Sequence, residues 1–244
     1  MTIYDRLFGS HAEERDVLLD AGSSLLRFNE NKEAEEAFKE AIRIGPPSAD
    51  AHFRLGLAYE QSGRIKEAEN EFRAALEIEP AADAHLCLGF MYEQSERIKD
   101  AENEYRAGLE IEPDNILLHN QMGSLLFMSN RLTDAENEFR KVLALNPDSL
   151  ETHTNLGALL LKTTRYDESE KELNRAIQID PHIGLPHRNL GILFAKTQRI
   201  KESIEEFKTA LRLHRDEGDH VMAAKIEGII KNLKIFQLDF KKGY

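Results

Sequence analysis

The sequence has one cysteine, Cys87, and no tryptophan among its 244 residues. A single cysteine cannot form a disulfide within the chain, and no four Cys or His residues stand at the spacing of a zinc finger. We therefore expect neither a disulfide framework nor a metal site, and no cofactor. The free thiol favours a reducing compartment, so the expected location is the cytoplasm.

Long apolar runs are also missing. No stretch approaches the roughly 20 apolar residues that a membrane-spanning helix needs. The first residues, Met-Thr-Ile-Tyr-Asp-Arg, lack the basic segment followed by an apolar run that is typical of a secretory signal. We therefore expect no membrane segment and no secretory leader.

Basic residues are in deficit, with 32 Lys and Arg against 44 Asp and Glu and a formal net charge of -12. Nucleic-acid binding depends mainly on Lys and Arg that replace condensed counterions, so nucleic acid is not expected as a partner. Anionic membrane surfaces are disfavoured for the same reason. The charge is uneven, because residues 1–122 carry 26 acidic and 13 basic side chains whereas residues 123–244 carry 18 and 19.

The sequence does contain a strong internal repeat. Glycines recur at intervals of 34, 33, 34, 34 and 34 residues, at Gly22, Gly56, Gly89, Gly123, Gly157 and Gly191. A small residue follows each glycine by twelve positions: Ala34, Ala68, Ala101, Ala135, Ser169 and Ser203. A large apolar residue follows by sixteen: Phe38, Phe72, Tyr105, Phe139, Leu173 and Phe207. A proline follows five of the glycines by twenty-four: Pro46, Pro80, Pro113, Pro147 and Pro181.

Each of these residue types has a mechanical reason. Glycine inside a helix costs about 1 kcal/mol against alanine, so its recurrence indicates a close approach between two helix backbones. The small residue meets that need from the second helix, and the large apolar residue one turn later fills the space between hairpins. Proline then ends the second helix.

With leucine directly before four of the glycines and tyrosine three residues after two of them, this pattern resembles the tetratricopeptide repeat over about residues 15–217. The resemblance implies an all-α fold, a right-handed α-solenoid of six helical hairpins, in which the first helix of each hairpin lines a concave face. After an N-terminal segment, 1–14, the predicted units are 15–48, 49–81, 82–115, 116–149, 150–183 and 184–217.

The sixth unit departs from the pattern, because Arg215 stands where proline is expected. The chain should therefore continue past this unit. Residues 219–240 have the spacing of one more amphipathic helix, and we predict a C-terminal capping helix in 218–244. Its apolar residues are Val221, Ala224, Ile226, Ile229, Ile230, Leu233 and Phe236.

Five histidines stand four residues before the repeat glycine, where the family usually has an aromatic residue: His52, His85, His119, His153 and His187. Histidines at equivalent positions invite a metal-binding or pH-sensing interpretation. Neighbouring hairpins should lie about 8–10 Å apart, however, whereas zinc needs ligands at about 2 Å. We therefore favour a packing role, and a metal-binding or catalytic protein built on these histidines is the second alternative.

Catalytic machinery cannot be assembled from the sequence. Cys87 stands two residues after His85, and residues two apart on a helix point to different sides. The repeat glycines form no phosphate-binding loop and follow no predicted strand. We expect no catalytic residue and no enzyme.

The resemblance also places a set of side chains from repeats two to four on the concave face. The predicted partner-binding residues are Phe53, Leu57, Glu60, Leu86, Phe90, Glu93, Asn120, Phe127 and Met128. Large apolar residues that face a groove are costly unless a partner covers them. The carboxylate clamp of chaperone adaptors in this family is missing, because the matching positions are mostly apolar.

The leading hypothesis is therefore a non-catalytic interaction scaffold that binds an extended or helical segment of another protein. The acidic rim would favour a partner with basic flanks. The first alternative is a structural protein that assembles with further copies of itself through its terminal helix or groove.

Overall fold

The computed structural model describes the backbone of residues 3–241 and the side chains of residues 12–235 and Gln237. This part of the chain contains thirteen α-helices and no strand. The helices are α1 (Ile3–Arg27), α2 (Asn31–Ile44), α3 (Ala49–Gln61), α4 (Ile65–Ile78), α5 (Ala82–Gln94), α6 (Ile98–Ile111), α7 (Ile116–Met128), α8 (Leu132–Leu145), α9 (Leu150–Lys162), α10 (Tyr166–Ile179), α11 (Gly184–Lys196), α12 (Ile200–Asp216) and α13 (His220–Lys241). The predicted fold class, an all-α fold of six helical hairpins and a capping helix, is confirmed.

The chain divides into two compact units, Met1–Met122 and Gly123–Tyr244, and the division falls within α7. Helix α1 begins at Ile3, well before residue 15, where the first repeat was expected to start. The boundaries of the individual repeat units stay a prediction.

Close packing at the repeat glycines holds each hairpin together. A Cβ added at Gly56 would lie 2.7 Å from the Phe72 ring, closer than atoms can pack, and one added at Gly89 would meet the Tyr105 ring. In the second unit a Cβ at Gly191 would lie 2.9 Å from the ring of Phe207. The glycine therefore makes room for the large side chain of the second helix in its own hairpin, whereas the sequence predicted a close approach of two helix backbones.

The turn inside each hairpin has a feature that the repeat pattern did not reveal. Six residues, each seven positions after a repeat glycine, have φ between 58° and 72°: Asn29, Gly63, Glu96, Asn130, Thr164 and Gln198. This left-handed conformation is unfavourable for residues with a Cβ, and most of all for a β-branched residue such as Thr164. Gly63 has the residue type that the conformation favours most, and Asn29 and Asn130 tolerate it better than other residues with a Cβ.

Arginines eight residues after the repeat glycine join neighbouring hairpins. Arg64 pairs with Glu35 of the preceding hairpin at 2.9 Å, and Arg199 pairs with Glu170 at 2.6 Å. The Arg64 guanidinium also lies 4.2 Å from the centroid of the Tyr59 ring. Because these groups are partly exposed, each pair contributes modestly, but the contact recurs along the chain.

Helix α13 packs on the second helix of the last hairpin. Its buried Ile226 and Ile230 form one cluster with Ile204, Phe207 and Ala210 of α12. Ile229 and Leu233 are partly buried against this cluster, as predicted for a capping helix. Val221 and Ala224 are exposed and lie off the packed face, and the Phe236 side chain is outside the described residues. Within residues 3–241 no helix combines the length and apolar character that a membrane span requires.

Candidate functional site

In the first unit the predicted apolar side chains lie on α3 and α5. The Ser48 hydroxyl accepts a hydrogen bond from the Ala51 amide and so caps α3 at its first turn. Phe53 and Leu57 are half-buried on α3, and the Phe53 ring lies 5.5 Å from the Phe72 ring between centroids. We call the six predicted residues of these two helices, Phe53, Leu57, Glu60, Leu86, Phe90 and Glu93, the first-helix face.

Phe90 is the most accessible apolar side chain of the first-helix face. It is 40% exposed, whereas Phe53, Leu57 and Leu86 are each half-buried. An exposed aromatic ring one helical turn from a partly buried leucine offers an anchor that a partner could cover with little further ordering.

The two carboxylates of the first-helix face have different surroundings. Glu93 accepts a hydrogen bond of 2.9 Å from the Tyr105 hydroxyl. Burial and then the Glu93 charge raise the pKa of Tyr105, so this phenol remains protonated and keeps donating. Glu60 is half-buried, and burial raises the pKa of its carboxyl group. No hydrogen bond or ion pair from the described residues reaches the Glu60 carboxylate.

Cys87 lies on α5, where the charge of Glu60 reaches its thiol. Burial, and then the charges of Glu60 and Asp83, raise the pKa of its thiol to about 12. A thiol with this pKa is protonated at neutral pH, and a protonated thiol is a poor nucleophile and a poor metal ligand. The site around Cys87 therefore does not provide the activated group that cysteine catalysis needs.

The remaining predicted site residues lie on α7. Asn120, in the first unit, is only 5% exposed, so it has little surface to offer a partner. In the second unit Met128 is 69% exposed, and Phe127 is half-buried with the Lys162 ammonium 5.2 Å from the centroid of its ring. All nine residues remain predicted contacts.

The histidines pair within their own hairpins. Nδ1 lies 2.7 Å from a glutamate oxygen in the pairs His52–Glu71, His85–Glu104 and His187–Glu206, and 2.6 Å in His153–Glu172. The glutamate always stands nineteen residues after the histidine, on the second helix, so the pair ties the two helices of a hairpin together. Glu138 stands at this offset from His119, and His119 Nε2 donates to the Pro113 carbonyl at 2.7 Å.

This geometry supports the packing role proposed for the histidines. Among the described residues no three or more His, Cys, Asp or Glu side chains converge as a metal site. The partner glutamates could have been found in the sequence, because they repeat with the same period as the histidines.

The same repeat is recognised by comparison with known proteins. Models of the tetratricopeptide repeat match residues 3–49, 19–83 and 53–116, and a second such model matches residues 126–183. A search of curated proteins gave no match.

Solved structures share the fold at low identity. A Pseudomonas aeruginosa protein, in a structure described as the functional characterization of pilF, is 19% identical, with a TM-score of 0.76 over 90% of this chain and 99% of that one. The APC/C hetero-tetramer Cut9-Hcn1 gives 20% identity and a TM-score of 0.74 over 95% of this chain, which spans 45% of that chain's length. YrrB, described as a TPR protein with an unusual peptide-binding site, gives 21% identity and a TM-score of 0.64 over 80% of this chain and 99% of that one.

Proposed function

The chain belongs to the tetratricopeptide repeat family, and we propose that it is a non-catalytic scaffold that holds a segment of another protein on the first-helix face of hairpins two and three. The observation that carries this proposal is the exposed Phe90 ring, which stands one helical turn after the half-buried Leu86 on α5. A few such apolar anchors usually provide most of the affinity of an interface. The peptide-binding site named for YrrB agrees with a peptide as the class of ligand.

The charge of the first unit favours a partner segment with basic flanks. Residues 1–122 carry twice as many acidic as basic side chains, and the first-helix face has a carboxylate on each of its two helices. Charges at the rim of an interface mainly steer the encounter and select the partner. The same excess of negative charge disfavours nucleic acid and anionic membranes. The cytoplasmic location stays a prediction from the single free cysteine.

Affinity capture with matched variants tests this proposal. The wild-type chain, a Leu86→Ala/Phe90→Ala double variant and an Ile78→Ala control are immobilised and exposed to extract from the native cell, and bound proteins are identified by mass spectrometry. Ile78 lies on the second helix α4 and is as exposed as Phe90, at 40%. A partner of the first-helix face should be retained by the wild type and the control and lost by the double variant. If all three proteins retain the partner equally, the binding surface lies outside the first-helix face.

One observation favours the alternative of self-assembly. On α13, Val221 is 68% exposed and Ile235 is 50% exposed, which is unusual for the outer side of a terminal helix. If these side chains join two copies, the molecular mass measured by sedimentation equilibrium should rise with concentration. The Val221→Ser/Ile235→Ser variant should then stay a monomer. A wild-type mass that does not change with concentration would rule this alternative out.

A further inference from the structure

The second and third hairpins have nearly the same sequence, so the carboxylates of Glu60 and Glu93 can be compared directly. Residues 59–72 and 92–105 are near copies that differ at three positions. One difference is the large residue that packs on the repeat glycine, which is Phe72 in the second hairpin and Tyr105 in the third. Glu60 and Glu93 stand at the same position of the two first helices, four residues after the glycine.

The hydroxyl group decides whether each carboxylate has a hydrogen-bond donor within the fold. Tyr105 reaches Glu93 with its hydroxyl at 2.9 Å. Phe72 lies against Gly56 as Tyr105 lies against Gly89, but it has no hydroxyl to donate. The Glu60 carboxylate therefore lacks the bond that its counterpart makes, and the rest of the described residues supply neither another donor nor a cation.

A half-buried carboxylate without a partner is an unfavourable arrangement. Removing the carboxylate from water weakens its hydration, and nothing described in the fold replaces the lost hydrogen bonds. Glu60 and Asp83 both place negative charge near the Cys87 thiol of α5, and no cation of the described residues pairs with Glu60. A cation that reaches Glu60 would gain a charge-assisted hydrogen bond and lower this cost.

We propose that Glu60 is the anchoring group for a Lys or Arg side chain of the bound segment, while the apolar residues of the segment contact Phe90 and its neighbours. The inference rests on the function proposed above and deepens it, because it separates two carboxylates that look equivalent in the sequence. Glu93 is held by Tyr105 and contributes little to binding. The preferred partner therefore carries one essential basic residue next to apolar residues.

The probe is a library of random dodecapeptides displayed on phage and selected on the full-length chain. The wild type should enrich peptides that have Lys or Arg at one position close to an apolar residue. The Glu60→Gln variant should lose the basic residue from its selected peptides, whereas Glu93→Gln should keep it. Enriched peptides that are apolar without a basic residue would overturn the inference and leave the scaffold function standing. If the wild type enriches no peptide above background, the scaffold function fails as well.

Affinities for the best peptide then identify the group that it contacts. Replacing its Arg by citrulline, or its Lys by norleucine, should weaken binding to the wild type by about tenfold or more and weaken binding to Glu60→Gln much less. Equal losses for both proteins would place the peptide's cation elsewhere.

The hydroxyl itself can be exchanged between the hairpins. Phe72→Tyr should supply Glu60 with an internal donor and weaken binding of the peptide, although no partner contact is removed. Tyr105→Phe should free Glu93 and leave the affinity unchanged or raise it. Circular dichroism and thermal unfolding establish that both variants are folded, and Glu60→Gln tests the same site if Phe72→Tyr is unstable. A Phe72→Tyr variant that folds and binds as the wild type does would contradict the inference.

Discussion

In the first unit the small residue of every second helix is alanine, whereas in the second unit it is serine in the last two hairpins. Ala68 and Ala101 are fully buried and fill the space by contact alone. The Ser169 and Ser203 hydroxyls donate to the carbonyls of Gly157 and Gly191 at 2.7 Å. The same close approach of two helices is therefore compatible with either chemistry, provided that the serine finds an acceptor.

The two units also differ in the side chains at the positions predicted to line the binding face. The first unit has Phe53 and Phe90 at positions predicted to line the binding face, whereas hairpins five and six have Thr154 and Ile192 there. Thr154 is buried and donates its hydroxyl to the Leu150 carbonyl at 2.8 Å. Phe90, the most exposed of the predicted aromatic contacts, and the excess of negative charge lie in the first unit, which is why we assign binding to it.

Deleting residues 219–244 should have the largest effect and should affect the second unit alone. The deletion uncovers the apolar cluster of Ile204, Phe207 and Ala210, so loss of solubility or new self-association is expected. Hydrogen exchange should show lost protection in α11 and α12 and intact protection in α3 and α4. An unaltered monomer would show that α13 is not a cap.

Overpacking the small position should destabilise both units. Ala101→Leu and Ser169→Leu should each lower the free energy of unfolding by about 1–3 kcal/mol, because both positions are completely buried and have no room for a larger side chain. Urea denaturation measures this change, with Ala224→Leu on the exposed side of α13 as the control. Unchanged unfolding of both core variants would contradict the assigned packing of the hairpins.

Replacing serine by alanine gives the last two hairpins of the second unit the same small residue as the hairpins of the first unit. Ser169→Ala and Ser203→Ala should each cost about 1 kcal/mol of unfolding free energy, since each removes one buried hydrogen bond. Ser95→Ala is the matched control, because its hydroxyl donates to the Met91 carbonyl at an exposed residue. A control that loses as much stability as the buried variants would show that burial does not matter here.

The turns allow a stabilising test. Thr164→Gly should raise the free energy of unfolding by about 0.5–1 kcal/mol, because glycine tolerates the observed φ of 61°. The reverse change in the first unit, Gly63→Thr, should lower it by a similar amount. The two opposite shifts are measured by thermal unfolding, and shifts of equal sign would mean that the turn conformation is not the cause.

The smallest expected effect is on Cys87. Its thiol pKa is raised to about 12 mainly by burial and then by Glu60 and Asp83, so removing one negative charge should lower that pKa slightly. At pH 9, which lies below this pKa, a lower pKa means more thiolate. Glu60→Gln should therefore speed alkylation by iodoacetamide about two- to fivefold. Glu93→Gln, which is not among the causes of the raised pKa, should leave the rate unchanged.

Part of the structure could be predicted because the same residue types recur at fixed offsets in the sequence. The repeat glycines and the large residues of the second helices were found from offsets that recur in every unit. Their direct contact, as between Gly56 and Phe72, was not predicted. The glutamates that pair with the histidines also recur, but they were missed because an acidic residue on a second helix is usually just a solvated surface. The turn conformation was missed because no single residue type recurs there in every hairpin, as Glu96 and Thr164 show.

The sequence by itself determined the helices, their pairing and the residue types at fixed offsets in each hairpin, because one set of steric needs recurs about every 34 residues. Only the tertiary structure decided which side chains are left with accessible surface or without a partner. Asn120 is buried although its position predicted a partner contact, and Val221 is exposed although it was assigned to the packed face of α13. Glu93 receives the Tyr105 hydroxyl, and Glu60 receives none from Phe72. Such differences depend on single atoms brought together from two helices, and a pattern of residue types does not contain their distances.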